Sequence, residues 1–281
     1  MNSTGIAVSI VIPCFNDGKF LPEAVGSAEP CQSSGCEIIV VNDGSTDQNT
    51  LKVLATIEQR GHRVLHQQNR GLGGARNAGI SIARGRYILP LDSDNRVRPA
   101  YPVQGAKILD RDPAIDVVYG DPEYFGGKTG RNHVADFDLQ RLLSWNYIDA
   151  CAVFRKSAWE RCGGYDEKMP SMGYEDWDLW CRIALSGGGF CHVDEVLYDY
   201  RVRPDSMSSG MGDQDRVAAI QRHLRAKHME TTIGNYVDAL QSSDFAVAQL
   251  RARPVKNLIG LLTRAYFPGA YSRWQTRRRQ S

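Results

Sequence analysis

Two aspartates separated by one residue are the strongest candidates for chemistry in this sequence. Asp92 and Asp94, with Ser93 between them, follow an apolar run from Tyr87 to Leu91 that has the composition of a buried strand. Carboxylates in this arrangement can hold Mg²⁺ or Mn²⁺, which leaves positions open for phosphate oxygens and offsets the charge of a departing diphosphate. The same pattern also occurs in turns and helix caps. Its position at a strand end is what favours a cation site.

A second polar segment, Asn42 to Asp47, follows another apolar run. The Asp43 carboxylate can accept a hydrogen bond from the imide N–H of a pyrimidine base. Gly44 permits a tight turn, and Asp47 can cap the next helix. A turn followed by a cap explains this segment equally well, except for the need for Asp43.

Two further segments bear on ligand binding. In the Pro13 to Asn16 segment, the Phe15 ring can stack on a base, although a lone aromatic is more often part of a core. The Gly71 to Arg76 segment resembles a dinucleotide fingerprint, but it follows the third predicted strand, and Arg76 stands where the last glycine would be. We therefore expect the glycines to let the backbone pass close to a bound donor and Arg76 to hold its base or a phosphate.

Adjacent acids, Glu175 and Asp176, begin a predicted helix that ends at Leu185. A carboxylate beside a bound donor can remove the proton of an acceptor hydroxyl as its oxygen attacks. Adjacent helical positions point in different directions, so one acid would be the base and the other a support or acceptor contact. The pattern alone leaves open which of Glu175 and Asp176 is the base, and the other acid and Trp177 are expected on the acceptor side. As a bare pattern, such acids also complement the helix dipole.

The elements that must position these residues alternate between short β-rich runs and helical patterns. This order predicts a mainly parallel α/β sheet covered by helices on both faces, with ligands beyond the carboxyl ends of its strands. From Tyr119 to Tyr174 the pattern weakens, which predicts loops with a short helix from Ser157 to Arg161. The predicted strands are Ala7 to Pro13, Glu37 to Asn42, Arg63 to Gln67, Tyr87 to Leu91 and Val117 to Tyr119, and the predicted helices before Tyr119 are Phe20 to Ala28, Asp47 to Arg60, Gly74 to Arg84 and Pro99 to Asp110.

Composition narrows the class of protein. A chain of 281 residues with 42% hydrophobic residues can bury a large core, and a net charge of +2 gives no reason to expect a nucleic-acid partner. Seven cysteines without a C-x-x-C pair favour a reducing compartment over a disulfide framework. The run from Ala7 to Pro13 is too short for a membrane span and lacks a basic leader, so we expect a cytoplasmic protein.

The end of the chain has a different character. Helical patterns occur near Asp215 to His228 and Gly234 to Leu250. The final stretch, Arg251 to Ser281, contains eight arginines or lysines and no acid. Its aromatic and apolar residues are compatible with a peripheral position on the anionic inner face of the plasma membrane, and a solvated basic tail is the alternative.

Taken together, the motifs resemble the family 2 inverting glycosyltransferases of the GT-A fold. The resemblance covers about residues 7 to 208, with the motifs in family order. They are Val8 to Asn16, Val41 to Asp47, Asn69 to Gly79, Ala83 to Asp94, Gly163 to Glu167, Tyr174 to Arg182 and Tyr200 to Ser208.

The resemblance implies transfer of one sugar from a nucleotide diphosphate, with a uracil base the expected one, to an acceptor hydroxyl. Asp43 would contact the uracil, Asp92 and Asp94 would meet the ribose, the diphosphate and a Mn²⁺ or Mg²⁺ ion, and Asp176 would be the general base. The mechanism would be a single displacement that inverts the anomeric carbon. The expected donor-binding residues are Pro13, Phe15, Asp43, Arg76, Asp92, Ser93, Asp94 and Arg203.

The chain departs from the family pattern at two positions. Asn42 stands where many relatives have an acid, and Arg203 stands where many have a histidine. A charged guanidinium cannot ligate a metal but can bind a diphosphate with two hydrogen bonds, so we expect Arg203 to hold the leaving group and the metal requirement to be mild. The Q-x-x-R-W segment and membrane helices of processive synthases are missing, which favours transfer of a single sugar in glycan or glycoconjugate synthesis.

Other interpretations remain at this point. A sugar-phosphate nucleotidyltransferase would share the sheet and the metal pair, and an inactive sugar-nucleotide or glycan-binding module would share the pocket without needing Asp176. We expect a catalytic domain over residues 1–208, with a nucleotide-binding half (1–120) and an acceptor-side half (121–208), followed by a basic helical extension (209–281). The acceptor, whether glycan, lipid-linked sugar, protein or small molecule, would meet the Asp121 to Trp145 segment.

Overall fold

The computed structural model describes residues 6–203 and 214–241. Within these ranges the strands are β1 (Val8–Cys14), β2 (Cys36–Asp43), β3 (Arg63–Gln67), β4 (Tyr87–Pro90), β5 (Arg96–Val97), β6 (Ile115–Gly126), β7 (Gly130–Arg131), β8 (Val153–Arg155) and β9 (Gly189–Val202). The α-helices are α1 (Leu21–Ala28), α2 (Gln48–Gln59), α3 (Gly71–Ser81), α4 (Tyr101–Arg111), α5 (Leu139–Ser144), α6 (Lys156–Arg161), α7 (Glu175–Leu185) and α8 (Gln214–Gln241), and a 3₁₀ segment (Glu29–Ser34) follows α1.

One half of the sheet is parallel, as the sequence predicts. Its strands lie in the order β3, β2, β1, β4, and every neighbouring pair is parallel. All residues of β1, β2 and β4 are buried, which is what near-continuous apolar runs between two layers of helices require. The carboxyl ends of these strands meet at one edge, so the loops that follow them lie side by side.

The other half of the sheet is mixed. β8 joins β4 and β6 with antiparallel pairings, and β6 runs parallel to β9 with register shifts near Gly120 and Asp121. The prediction of loops from Tyr119 to Tyr174 was therefore wrong, because this stretch contains most of β6 and all of β8. The acids and glycines of β6 hide its strand character, and β8 has only three residues.

The predicted helices are confirmed with small shifts of their ends, and α7 has the predicted bounds. The larger difference is α3, which begins at Gly71 and not at Gly74. A Cβ atom on Gly73 would lie 3.3 Å from the Asp166 carbonyl oxygen and 3.3 Å from the Glu175 side chain. Gly73 therefore allows α3 to pack closely against the chain before α7. The sequence analysis had expected the glycines to let the backbone pass close to a bound donor.

The last described helix, α8, packs on the domain formed by the preceding residues. Its Val217, Ile220 and Leu224 belong to the same buried cluster as Trp177 and Trp180 of α7. It is continuous where the sequence predicted two pieces. The division of the chain at residue 208 stays a prediction.

Buried polar contacts also join α8 to α7. The Asp178 carboxylate accepts hydrogen bonds from Arg182, Lys227 and His228 at 2.6 to 3.1 Å. Although burial opposes its charge, these partners hold the pKa of Asp178 well below its usual range. The carboxylate is thus a charged anchor between the two helices.

All seven cysteines lie within the described ranges as free thiols. No helix there combines the length and the apolar character that crossing a membrane requires. The basic stretch Arg251 to Ser281, whose sequence is compatible with membrane contact, lies outside the described residues.

Candidate active site

Two cavities of about 560 Å³ each open beyond the sheet. The first, the strand-end cavity, lies at the carboxyl ends of β1, β2 and β4. It brings together seven of the eight residues expected to bind the donor, namely Pro13, Phe15, Asp43, Asp92, Ser93, Asp94 and Arg203. Residues that are far apart in the sequence thus line one space.

Asp43 ends β2 and is buried. Its Oδ1 atom accepts hydrogen bonds from the Gln67 side-chain amide at 2.6 Å and from the Arg70 backbone N–H at 2.9 Å. Gly44 follows with φ of 75°, and a Cβ atom there would lie 2.7 Å from the Asn69 backbone nitrogen. The turn that orients Asp43 therefore requires glycine.

Asn42 and Asn16 shape the same loops. The Asn42 side-chain oxygen accepts from the Ser45 backbone N–H at 2.9 Å, and the Asn16 side-chain oxygen accepts from the N–H groups of Thr46 and Asp47. At position 42 an amide thus closes the turn. Phe15, beside Asn16, is 50% exposed and lines the cavity, so its ring is open for stacking.

The carboxylates of Asp17, Asp92 and Asp94 line the strand-end cavity together with the Arg203 guanidinium. The Arg203 guanidinium lies 3.1 Å from Asp94 Oδ2 and 3.0 Å from Asp17 Oδ1. Ser93 donates its hydroxyl to the other Asp17 oxygen at 2.8 Å. Asp17 was not among the predicted site residues.

The charges around Asp94 fit a cation. Burial and the neighbouring Asp92 and Asp17 raise the pKa of Asp94 to about 7, and Arg203 offsets part of this increase. A divalent ion beside these oxygens would stabilise the charged form, and carboxylates are the ligands that Mg²⁺ and Mn²⁺ prefer. The residues present therefore fit the expected metal.

A separate group also has metal-ligand chemistry. Asp121, His133 and Asp194 place one ligand atom each within 4.8 Å of one another. However, the Asp121 carboxylate already accepts hydrogen bonds from Arg131 at 2.7 Å and His192 at 3.1 Å. An arginine thus contacts a carboxylate at both candidate metal sites, and the strand-end group is the one that lies beside the expected nucleotide contacts.

The second cavity, the loop cavity, is lined by the predicted acceptor segment together with residues before and within α7. It shares Leu72, Asp92, Met172 and Tyr200 with the strand-end cavity, so the two spaces meet at these side chains. From the Asp121 to Trp145 segment it takes Pro122, Tyr124, Lys128, Asn132, His133, Val134, Arg141 and Trp145.

Arg76 lies at a different place from the one the sequence predicted. It lines the loop cavity and not the strand-end cavity, and it is only 2% exposed. Its guanidinium donates to Asp92 Oδ1 at 2.7 Å and stacks over the Tyr165 ring. Arg76 is buried because its side chain lies between the Tyr165 ring and the Asp92 carboxylate.

Asp176 faces the loop cavity and is 7% exposed. It accepts hydrogen bonds from the Asn146 amide at 3.2 and 3.3 Å and from the Trp177 backbone N–H at 2.8 Å. Burial raises the pKa of Asp176 to about 7; the Arg76 charge lowers it and the Asp149 charge raises it. A carboxylate with this pKa can accept a proton near neutral pH.

Asp149 is a site residue that sequence reasoning missed. It lines the loop cavity, and burial and the Asp92 charge raise its pKa to about 6. Its Oδ1 accepts from the Cys151 backbone N–H at 2.8 Å. A single aspartate in a stretch without regular periodicity gives no signal in the sequence.

Glu175 and Trp177 line neither cavity, in contrast to the expectation of acceptor contact. Glu175 is buried and accepts from the Gly173 backbone N–H at 2.8 Å. Trp177 is 1% exposed and donates its indole N–H to the Leu142 carbonyl oxygen. Successive helical positions diverge by about 100°, so when Asp176 faces the cavity its neighbours point into the core.

Comparison with known proteins places this geometry in context. A family model described as glycosyl transferase family 2 matches residues 9–163, and one described as the N-terminal domain of galactosyltransferase matches residues 133–203. Glycosyltransferase GlyG of Streptococcus pneumoniae is 43% identical over 219 residues, which cover 71% of this chain and 72% of GlyG.

Longer proteins match as well. Chondroitin synthase of Pasteurella multocida is 29% identical over 208 residues, and the chain spans 21% of its length. The crystal structure of S. aureus TarS 1-349 in complex with UDP-GlcNAc superposes with a TM-score of 0.60 at 20% identity, covering 72% of this chain and 60% of that one.

The structural likeness confirms the predicted GT-A type α/β fold. The family model covers more than half of the chain, and its match includes β1, β2, β4 and the Asp92 to Asp94 loop. The chain therefore belongs to glycosyl transferase family 2.

Proposed function

We propose that the protein transfers a single sugar from a UDP-sugar to an acceptor hydroxyl, with inversion, during glycan or glycoconjugate synthesis. One observation carries this proposal. The strand-end cavity, with its expected nucleotide contacts, meets the loop cavity, with its raised-pKa carboxylate, at Asp92. A sugar at that junction would be within reach of groups from both cavities.

The strand-end cavity supplies donor binding in this proposal. Asp43 accepts the uracil imide N–H, and the exposed Phe15 ring stacks on the base, beside Pro13. GT-A structures bound to UDP-GlcNAc, such as that of TarS, support a donor of this chemical class. Asp92 and Asp94 would hold Mn²⁺ or Mg²⁺, which stabilises negative charge on the leaving diphosphate when bound.

Arg203 assists the leaving group in the same proposal. The Arg203 guanidinium contacts the carboxylates of Asp17 and Asp94. A diphosphate offers the same kind of charged oxygen acceptors and carries more negative charge, so it competes for this guanidinium. A fixed cation of this kind supports the expectation of a mild metal requirement.

Asp176 is the proposed general base. It takes the proton of the acceptor hydroxyl as that oxygen attacks the anomeric carbon, and UDP leaves from the opposite face. The Asn146 amide orients the carboxylate, and Arg76 keeps the charge of Asp92 compensated beside the reacting sugar. Arg76 thus acts through Asp92 and positions the site.

Replacing Asp176 by Asn tests the base and distinguishes an enzyme from an inactive sugar-nucleotide-binding module. We expect kcat for UDP release in the presence of acceptor to fall about 10² to 10⁴-fold, because general base catalysis typically contributes that much. Donor affinity, measured by calorimetry with UDP, should stay within about twofold, because Asp176 lines the other cavity. Full activity of the variant would show that another group is the base.

The pH dependence follows from the raised pKa of Asp176. Only the deprotonated carboxylate accepts a proton, so kcat/KM should fall as the pH decreases through about 7. In Asp149→Asn a negative neighbour is removed, so the pKa of Asp176 and the acid limb should move to lower pH. The control Asp110→Asn, on the exposed side of α4, should leave the limb in place. A limb that stays fixed in Asp149→Asn contradicts this coupling.

Arg203→Ala tests the proposed contact with the leaving group. Loss of a charge-assisted contact should weaken UDP binding about 10-fold or more, and more Mn²⁺ should be needed for half-maximal activity. Binding and activity would be titrated across metal concentrations beside Arg111→Ala, an exposed arginine at the end of α4. Unchanged donor affinity in Arg203→Ala would rule out the contact.

A further inference from the structure

We propose that the acceptor is an acidic saccharide whose carboxylate or phosphate binds Lys128 and Arg141 at the rim of the loop cavity. The inference rests on the proposed function, since it treats the loop cavity as the acceptor site. It adds the chemical class of the acceptor and the residues that select it.

Charges in the loop cavity are separated by depth. Arg76 and Asp176 are buried, and Asp92 and Asp149 are half-buried. The charged lining residues classed as exposed are Lys128, His133 and Arg141, and none of the described lining residues with that exposure is a carboxylate. A ligand that spans the cavity therefore meets hydroxyl-binding acids inside and cations outside.

Lys128 and Arg141 form no ion pair with any carboxylate whose side chain the structure describes. Nearby arginines do have such partners, for example Arg131 with Asp121 and Arg98 with Asp199. His133, the third exposed cationic candidate, already lies 3.2 Å from an Asp121 oxygen. The two remaining cations are therefore the ones left for an external anion.

Aromatic rings hold both cations at the cavity. The Lys128 ammonium lies 4.2 Å from the centre of the Tyr124 ring, and the Arg141 guanidinium lies 4.4 Å from that of Tyr147. Both tyrosines line the loop cavity. Cation–π contact restricts the position of the charge, and the N–H groups stay available as donors to an anion.

Trp145 completes the rim. Its side chain is 49% exposed and lines the same cavity. An exposed indole is costly in water, and it offers a flat apolar face on which the C–H face of a sugar ring can lie. The cavity, at about 560 Å³, is in the usual size range for small-ligand sites. Sugar ring and anion are thus recognised side by side.

The test is a binding measurement, because it gives an answer even where turnover is slow. The full chain, in the presence of UDP, would be titrated calorimetrically with three saccharides, and their affinities would be compared. These are a neutral tetrasaccharide, a tetrasaccharide containing hexuronate and a phosphorylated tetrasaccharide. We expect at least one acidic saccharide to bind about 10-fold more tightly than the neutral one, because hydrogen bonds to charged groups are stronger than those between neutral groups. The difference should shrink at high salt, and which acid binds better identifies the source of the charge.

Lys128→Gln and Arg141→Gln keep the length of the side chains and remove their charges. Each should reduce the preference for the acidic saccharide severalfold, and the double variant should abolish it. Lys107→Gln and Arg111→Gln, which remove exposed charges from α4, are the matched controls and should change nothing. Trp145→Ala should weaken the binding of acidic and neutral saccharides to the same extent.

Equal affinity for neutral and acidic saccharides, including no binding of either, overturns this proposal. So does a preference that the double variant retains. The proposed function is tested separately, by UDP release from UDP-sugars. Absence of UDP release with every acceptor would refute sugar transfer, whereas release with neutral acceptors alone would refute only the acidic acceptor.

Discussion

The arrangement of the site depends on one buried cation, the Arg76 guanidinium, enclosed by carboxylates. Removing an arginine from water is costly, and the cost is offset only when nearby negative charges and hydrogen bonds replace the solvent. Asp92 provides the direct contact at 2.7 Å, and the charges of Glu175 and Asp176 further stabilise the cation. The buried Asp176 carboxylate is in turn stabilised in its charged form by Arg76, which lowers the pKa of Asp176.

This dependence connects three elements of the fold. Arg76 comes from α3, Asp92 from the loop after β4, and Asp176 from the first turn of α7. The close approach of α3 to the chain before α7, which Gly73 permits, brings them together. Because the strand-end cavity and the loop cavity meet at Asp92, the same ion pair lies between the spaces assigned to donor and acceptor. The small size of Gly73 thus favours the close packing of α3 that brings Arg76 beside Asp92 and Asp176.

The sequence predicted the parallel half of the sheet well, and the residues that it proposed at the strand ends line one cavity. Continuous apolar runs identify β1, β2 and β4. Because the carboxyl ends of parallel strands meet at one edge of the sheet, the residues that follow these strands are expected to lie together, namely Phe15, Asp43, Asp92 and Asp94. It predicted the mixed half poorly, because β8 is three residues long and β6 carries acids that arginines neutralise only in the folded chain.

Errors at single residues have a similar origin. Trp177 and Arg76 were placed by their residue type, whereas their positions follow from the side of α7 that faces the core and from the contacts of Arg76 with Tyr165 and Asp92. Asp149, Lys128 and Arg141 lie in segments without strong periodicity, so only the cavity reveals that they share a space. Local sequence patterns indicate helices and strands, whereas the role of a side chain depends on contacts between segments that are distant in the sequence.

The stereochemistry of the product tests the central claim most directly. If Asp176 in the loop cavity is the base and the diphosphate binds in the strand-end cavity, as proposed, attack and departure would occur on opposite faces of the sugar. The anomeric proton of the new linkage, followed by NMR from an α-linked UDP-sugar during early turnover, should show the large coupling of a β-linkage for a gluco- or galacto-configured donor. Accumulation of the α-linked product from the outset would contradict the account.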